Sequence, residues 1–153
     1  MNHPEYAAQL FVQGRSCSQA VVVAFCDITG LTPEFSARMA SSFGGGMGRM
    51  REVCGAVSGM LMVLGLLYGY DDPGEKDAQK KEHYALVQKL AGEFREENGS
   101  IVCREILKNP PSTPSPTPRT AEFYKVRPCA RLVYSAARIL DQYIEAHPIE
   151  RKQ

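Results

Sequence analysis

Residues 53–70, VCGAVSGMLMVLGLLYGY, form a run of eighteen residues without a charged side chain. A run of this length is at the lower limit for a transmembrane helix. Its glycines are Gly55, Gly59, Gly65 and Gly69. Small residues allow close helix packing in water as well as in lipid, and no second apolar run accompanies this one. We therefore expect a buried central helix over residues 52–68, and no membrane span.

The segments on either side of this run also follow helical periodicity, and no alternating strand pattern occurs. The sequence predicts an all-α, single-domain bundle of about six to seven helices over residues 1–153. The predicted helices cover residues 4–12, 17–28, 32–43, 52–68, 75–97, 100–107 and 128–146. Residues 109–120, NPPSTPSPTPRT, contain five prolines and are expected to form an extended surface loop.

Composition restricts the classes of function. The chain has 153 residues, 44% of them hydrophobic and 23% charged, with a net charge of +1. This balance is typical of a soluble globular domain and indicates neither a nucleic acid partner nor an anionic membrane. The N-terminal residues lack the basic-then-apolar pattern of a signal peptide, so we expect a cytoplasmic protein. In a reducing cytosol, five cysteines indicate metal or catalytic chemistry more than static disulfides.

Four of the cysteines occur where a predicted helix begins. They are Cys17, Cys54, Cys103 and Cys129. Unpaired N–H groups and the helix dipole favour a thiolate at such positions, so the sequence predicts lowered thiol pKa values and early alkylation of Cys54 or Cys129. Each thiol points towards the core, and we expect the four to converge within about 10 Å of one another. Cys26, late in its predicted helix and on the opposite face from Cys17, is expected to be a buried hydrophobe outside the site.

A glycine-rich loop at residues 43–49, FGGGMGR, precedes the central helix. Its glycines are Gly44, Gly45, Gly46 and Gly48. Consecutive N–H groups could form an anion nest beside Arg49 and Arg51, but a tight connection that shapes the wall near Cys54 is the simpler interpretation. It is not a P-loop, because no Gly-Lys-Ser/Thr follows. The three histidines, His3, His83 and His147, are expected to be solvated surface residues.

Four segments together resemble a known family. They are RSCSQAV with Cys17, SFGGGMGRMREVCGAVSG with Cys54, SIVCREIL with Cys103, and RPCARLV with Cys129. Over residues 13–144 the chain resembles the C-GCAxxG-C-C family, with Val53 and the proline-rich loop as departures. The resemblance implies a small α-helical, redox-active protein of bacteria or archaea. Related sequence occurs in split-Soret-type cytochromes, which are thought to combine haems with an iron–sulfur centre, so the resemblance makes a cluster a candidate cofactor.

Three mechanisms remain open from the sequence. In the first, the four helix-start cysteines ligate a [2Fe–2S] or [4Fe–4S] cluster and the protein carries electrons. In the second, Cys54, beside Gly55 and Ser58, is the nucleophile of a thiol–disulfide oxidoreductase or redox sensor, with Cys17 or Cys129 as the resolving partner. In the third, the same four cysteines hold a structural zinc ion. The expected partner is a redox protein or a small-molecule oxidant or reductant, and a homodimer is left open.

The small residues Gly55, Ala56 and Gly59 form one face beside Cys54. A neighbouring helix could pack backbone to backbone on this face. We therefore expect that Gly59→Ala overpacks the contact and destabilises the protein.

Overall fold

The all-α prediction is confirmed. A computed structural model describes residues 2–74 and 77–149, and this part of the chain contains no strand. Its nine α-helices are α1 His3–Val12, α2 Cys17–Ala24, α3 Cys26–Thr29, α4 Pro33–Ala40, α5 Gly55–Tyr68, α6 Asp77–Asn98, α7 Cys103–Ile106, α8 Ala121–Val126 and α9 Cys129–Ala146. Six of them have seven or more residues, which matches the predicted number. A 3₁₀ turn at Ser41–Phe43 extends α4.

Helix α2 lies at the centre of the packing, in contact with α1, α4, α5 and α9. Its residues 20–24, AVVVA, are almost completely buried. Helix α5 packs against α2, α9 and α6, as the uncharged run predicts, although Leu66 on its outer face is 53% exposed. Among the described residues, no helix is long and apolar enough to cross a membrane.

The predicted helix over residues 17–28 is wrong in its second half. Helix α2 ends at Ala24 with Phe25 as its C-cap, and Cys26 begins the separate four-residue helix α3. The chain turns where the Phe25 ring stacks on His3 and Asp27 contacts the same imidazole. Cys26 is therefore not late in its helix, and it is half-buried, with its sulfur 3.3 Å from the hydroxyl of Ser36. This contact between distant segments leaves no trace in local periodicity.

Helix α5 starts three residues later than predicted, because the preceding backbone pairs with another segment. The Cys54 N–H donates to Ile101 O at 2.7 Å, and the Cys103 N–H donates to Glu52 O at 2.6 Å. An isolated antiparallel bridge between Val53 and Val102 lies between these bonds. The pairing places the Cys54 and Cys103 segments side by side.

The C-terminal third contains a helix that the sequence did not predict. Residues 109–120, called the strap below, form an extended loop as expected. Helix α8 follows, and the Thr120 hydroxyl caps it by accepting from the Phe123 N–H at 3.2 Å. The predicted helix at residues 100–107 is only Cys103–Ile106, because the Ser100 hydroxyl accepts from the Val102 N–H in a turn. The first two residues of the predicted helix at 75–97 lie outside the described residues, and α6 extends to Asn98.

The prediction of three solvated histidines is wrong for His3. Its ring is buried because α1 packs on α9, with Nδ1 2.7 Å from Asp141 and Nε2 2.9 Å from Asp27. His83 is half-buried beside Tyr70, and its Nδ1 has no hydrogen-bond partner within the described part of the chain. His147 is exposed, as predicted.

Candidate functional site

One cavity of about 330 Å³ is lined by the four cysteines that the sequence singled out. Cys17, Cys54, Cys103 and Cys129 reach it from four different helices. All five cysteines of the chain are unpaired thiols, and Cys26 is not among the residues that line the cavity. The structure therefore brings the four together and separates the fifth from them.

Each of the four cysteines lies at the start of its helix, as predicted. Cys17 is the first residue of α2, behind a capping box in which the Ser16 hydroxyl and the Gln19 side chain each bind the other's backbone N–H. Cys54 is the N-cap of α5. Cys103 and Cys129 are the first residues of α7 and α9. The thiols consequently face the ends of helices where backbone N–H groups are unpaired.

These thiols interact with specific N–H donors. The backbone N–H groups of Gly45 and Ser18 interact with the sulfur of Cys17 and favour its thiolate. Those of Ala56 and Val57 do the same for Cys54. A further donor is the guanidinium of Arg51, whose Nη1 lies 3.6 Å from Cys103 Sγ. Hydrogen bonds to sulfur are one of the means by which proteins adjust thiolate and cluster potentials.

The prediction of lowered thiol pKa values is wrong for three of the four cysteines. Burial raises the pKa of the Cys17 thiol above its ordinary value and that of Cys54 well above it. Burial, with a contribution from nearby Cys17, raises the pKa of Cys129 to about 12. The N–H donors at the helix starts oppose this effect but are weaker than the loss of hydration. Arg127 and Arg119 favour the thiolate of Cys129, but burial outweighs them, so at neutral pH these three cysteines are held as neutral thiols.

Two glycines allow the chain to approach the cysteines closely. A Cβ atom at Gly55 would collide with the sulfur of Cys17. At Gly46, which has the left-handed φ of 74°, a Cβ atom would lie 2.7 Å from Cys103 Cβ. Only glycine fits these two positions without a shift of the site.

The other predicted supporting residues have different locations. Gly44, Gly45 and Gly48 line the cavity, so the glycine loop forms part of its wall as well as a connection. Ser58 and Gly59 do not line it, and Gly59 instead faces the backbone of α2.

Four arginines line the same cavity, and the sequence indicated only two of them. Arg49 is the last residue of the glycine loop, and Arg51 follows it two residues later. Arg119 lies near the end of the strap, and Arg127 precedes α9. Desolvation and the like charges of Arg51 and Arg127 lower the pKa of Arg49, which indicates that the three guanidinium groups are neighbours. The motif Arg127-Pro128-Cys129 could have identified Arg127 by its proximity to a cysteine, but no local signal marks Arg119.

The arginines also hold the strap against the cavity. Arg49 donates from Nε to Thr113 O at 2.8 Å and from Nη1 to the Thr117 hydroxyl at 2.7 Å. Arg51 donates from Nε to Pro111 O at 3.0 Å. The prolines Pro114 and Pro116 complete one wall of the cavity. Part of the strap thus covers the thiols.

The four thiols are the candidate ligands of a metal centre, either a single ion or an iron–sulfur cluster. In residues 2–74 and 77–149, no group of three or more His, Cys, Asp and Glu side chains is arranged to hold a single metal ion. A tetrahedral zinc site places four ligands on one ion, whereas an iron–sulfur cluster divides its four cysteine ligands among several irons. The four thiols around one cavity, with N–H donors on sulfur and close-fitting glycines, form a donor set made of sulfur alone.

The comparisons with known proteins identify a family. Comparison with the curated proteins and with the solved structures yields no significant match. A family model described as "Putative redox-active protein (C_GCAxxG_C_C)" matches residues 15–143. The match includes all four cavity cysteines and the glycine loop. The chain therefore belongs to the C_GCAxxG_C_C family of redox-active proteins.

Proposed function

We propose that the four cavity cysteines are the ligands of an iron–sulfur cluster and that the protein is an electron carrier. The observation that carries this proposal is the convergence of four thiols from four helices on one cavity whose described lining contains no carboxylate. Sulfur-only ligation suits iron–sulfur centres, whereas carboxylates suit harder metal ions. When bound, a cluster supplies reversible one-electron transfer and places positive charge beside the thiolates.

The chain's own residues prepare the site for that role. Burial makes isolated thiolates unfavourable, so Cys17, Cys54 and Cys129 release their protons readily only beside a positive centre. The N–H groups of Gly45 and Ala56 then stabilise the sulfur charge. The strap contributes Pro114, Pro116 and Thr117 to the cavity lining. We place this chemistry in the cytoplasm, where the five unpaired cysteines remain reduced.

The test is anaerobic production of the full chain. We expect a coloured protein with visible absorbance, iron and acid-labile sulfide. Serine substitution at each of Cys17, Cys54, Cys103 and Cys129 should lower iron and sulfide content. The matched control is Cys26→Ser, which should retain both because Cys26 lies outside the cavity lining. A colourless wild-type protein that binds one zinc ion per chain would contradict the proposal.

One contact favours a second candidate function, thiol–disulfide exchange between Cys17 and Cys54. The sulfur of Cys17 lies against Gly55, the neighbour of Cys54, and its charge contributes to the raised pKa of the Cys54 thiol. An oxidant would remove two electrons and two protons from this pair and form a disulfide. This mechanism predicts an iron-free protein with a Cys17–Cys54 disulfide that is detected by peptide mass spectrometry after mild oxidation.

A further inference from the structure

The cavity carries a strong positive charge apart from its sulfur atoms. Four of its lining side chains are arginines, and none of the described lining residues is aspartate or glutamate. A concave site with low-dielectric walls and one sign of charge concentrates ions of the opposite sign. Because the whole chain has a net charge of only +1, this concentration is local to the cavity.

Carboxylates nearby are paired elsewhere. Glu52, next to Arg51 in the chain, forms its ion pair with Arg104 at 3.1 Å. Glu97 pairs with Arg138 on the surface. Within the described residues, no carboxylate lies at ion-pair distance from Arg49, Arg51, Arg119 or Arg127. The cavity arginines therefore interact with neutral acceptors and aromatic rings.

Of the four cavity arginines, Arg51 and Arg127 have the fewest hydrogen bonds from their side chains. The Arg51 side chain is buried, and within the described residues it donates only from Nε to Pro111 O and from Nη1 to Cys103 Sγ. Arg127 is half-buried with its guanidinium 5.4 Å from the centroid of the Phe123 ring, and its side chain donates no hydrogen bond within the described part of the chain. A guanidinium has five N–H donors, and buried arginine is rarely left without an anionic partner.

Neutralisation of a cluster's negative charge would explain the position of only some of the cavity arginines. Arg51 is close enough to a thiol, at 3.6 Å, to act on sulfur directly. No sulfur lies within hydrogen-bond distance of Arg127 in the described structure, although its charge favours the thiolate of Cys129. The donors of Arg127 are consequently available for a separate ligand in the cavity.

We propose that this cavity binds a small oxyanion, held beside the thiols by Arg127 and Arg51. The planar fork of a guanidinium matches two oxygens of a phosphate or a carboxylate, and the cavity is large enough for a small molecule of this type. The role of the anion rests on the proposed function, since the anion would be the small-molecule partner of that redox site.

The experiment uses the full chain, purified anaerobically with whatever iron it contains. Inorganic phosphate and malonate are titrated separately against chloride at matched ionic strength, with calorimetry and ¹⁵N NMR of arginine side chains as readouts. We expect saturable binding of at least one probe and a shift of the Arg127 Nε–H signal. Binding of phosphate but not malonate, or of malonate but not phosphate, identifies the class of oxyanion. Either result supports the proposal.

The decisive variant is Arg127→Gln, which should weaken binding about tenfold or more through loss of charge-assisted hydrogen bonds. The matched control, Arg131→Gln, removes an exposed charge from the first turn of α9 and should leave binding unchanged. No saturable binding, or equal binding by Arg127→Gln and the wild type, overturns the proposal. If Arg127→Gln loses phosphate binding only in samples that have also lost iron, the proposal is overturned as well. In that case Arg127 would act through the cluster and not by contact with the anion.

Iron content, measured in the same samples, separates this inference from the proposed function. An iron-free wild-type protein that binds phosphate through Arg127 contradicts the cluster and leaves the oxyanion site intact. An iron-containing protein without saturable anion binding contradicts the oxyanion site alone.

Discussion

Gly59 provides a test of packing at the scale of one residue. A Cβ atom at this position would lie 2.8 Å from Ser18 O and 3.1 Å from Val21 Cβ, both on α2. Because the first of these atoms is backbone, it cannot yield without a shift of the helix. We predict that Gly59→Ala lowers the free energy of unfolding by about 1–3 kcal/mol, measured by chemical denaturation.

Helix α5 offers its own control for this prediction. Apart from the chain neighbours of Gly65 and the adjoining backbone of α5, no heavy atom of the described residues lies within 4 Å of the place that a Cβ atom would take at Gly65. Gly65→Ala should therefore follow helix propensity and raise the free energy of unfolding by up to about 1 kcal/mol. A gain of stability in both variants would show that α5 can move away from α2, and that Gly59 does not determine their spacing.

A second prediction at this scale concerns the thiol of Cys129. Burial raises its pKa to about 12, so at neutral pH the folded, metal-free, reduced protein contains less Cys129 thiolate than the unfolded chain does. The alkylation rate of Cys129 by iodoacetamide should rise with each pH unit between pH 7 and 10 without a plateau, about tenfold per unit. In denaturant the rate should level off near the ordinary cysteine pKa of about 8.5. Peptide mass spectrometry measures both rates.

This prediction reverses the order of reactivity that the sequence alone suggested. Cys54 is 4% exposed and its pKa is raised well above the ordinary value, whereas Cys26 is half-buried. Cys26 should therefore react before Cys54 in the folded, metal-free protein. Early labelling of Cys54 or a plateau for Cys129 near neutral pH would show that the helix N-termini outweigh burial.

At the scale of elements, the strap depends on contacts with the glycine loop. Arg49 binds Thr113 and Thr117 through two separate nitrogens, and Arg51 binds Pro111. Extended, proline-rich segments form few backbone hydrogen bonds of their own, so side-chain donors determine their position. The two arginines thereby attach the strap to the segment that contacts Cys103.

We predict that Arg49→Gln loosens the strap. The ¹⁵N order parameters of the amides at residues 112, 113, 115 and 117 should fall, because the charged donor of the Thr113 and Thr117 contacts is lost. Arg38→Gln on the exposed side of α4 is the matched control and should leave the order parameters of the strap unchanged. Unchanged order parameters in Arg49→Gln would mean that Arg51 and the prolines are sufficient to hold the segment.

At the scale of the whole molecule, the first helix of the described chain packs against the last. Helix α1 packs along α9. His3 joins them through Asp141 and reaches Asp27 in α3, while its ring stacks on Phe25 at 4.3 Å. A protonated imidazole can donate to both carboxylates at once. This contact links segments from the two ends of the described chain.

We predict that His3→Ala lowers the free energy of unfolding at neutral pH by about 2–3 kcal/mol, through loss of charge-assisted hydrogen bonds. Burial already raises the pKa of Asp141, and the charge of His3 opposes that increase. Without His3, the pKa of Asp141 rises further. In the variant, protonation of Asp141 therefore stabilises the folded state at pH values below the raised pKa of Asp141. This stabilisation is lost as the pH rises through the pKa of Asp141 in the folded state. The deficit of the variant should therefore shrink on acidification towards pH 4.

The matched control for this prediction is His147→Ala, since His147 is exposed near the end of α9. Denaturation curves at several pH values measure both variants. A deficit in His3→Ala that stays constant with pH would indicate that lost ring packing on Phe25, rather than the carboxylate contacts, is responsible.

The amino-acid sequence by itself determined the helical class, the starts of α1, α2, α4 and α9 to within one residue, and the four candidate cysteines. These features are local: apolar periodicity, capping residues and cysteines beside helix starts are all visible within a few residues. Thr32 before Pro33, for example, predicted the start of α4, and the structure has it there. The four cysteine segments also carried the family resemblance, which the match over residues 15–143 confirms.

Only the tertiary structure decided the properties of the site. The pKa of Cys129 is high because burial outweighs helix position, and burial depends on helices that are distant in the chain. Arg49 meets Thr117 across 68 residues, and Arg127 reaches a cavity that it shares with Cys17 and Cys54 from the first half of the chain. The turn at Phe25 and the burial of His3 likewise arise from contacts between separate segments. Local patterns specify helices, but desolvation and charge pairing are determined only when those helices pack together.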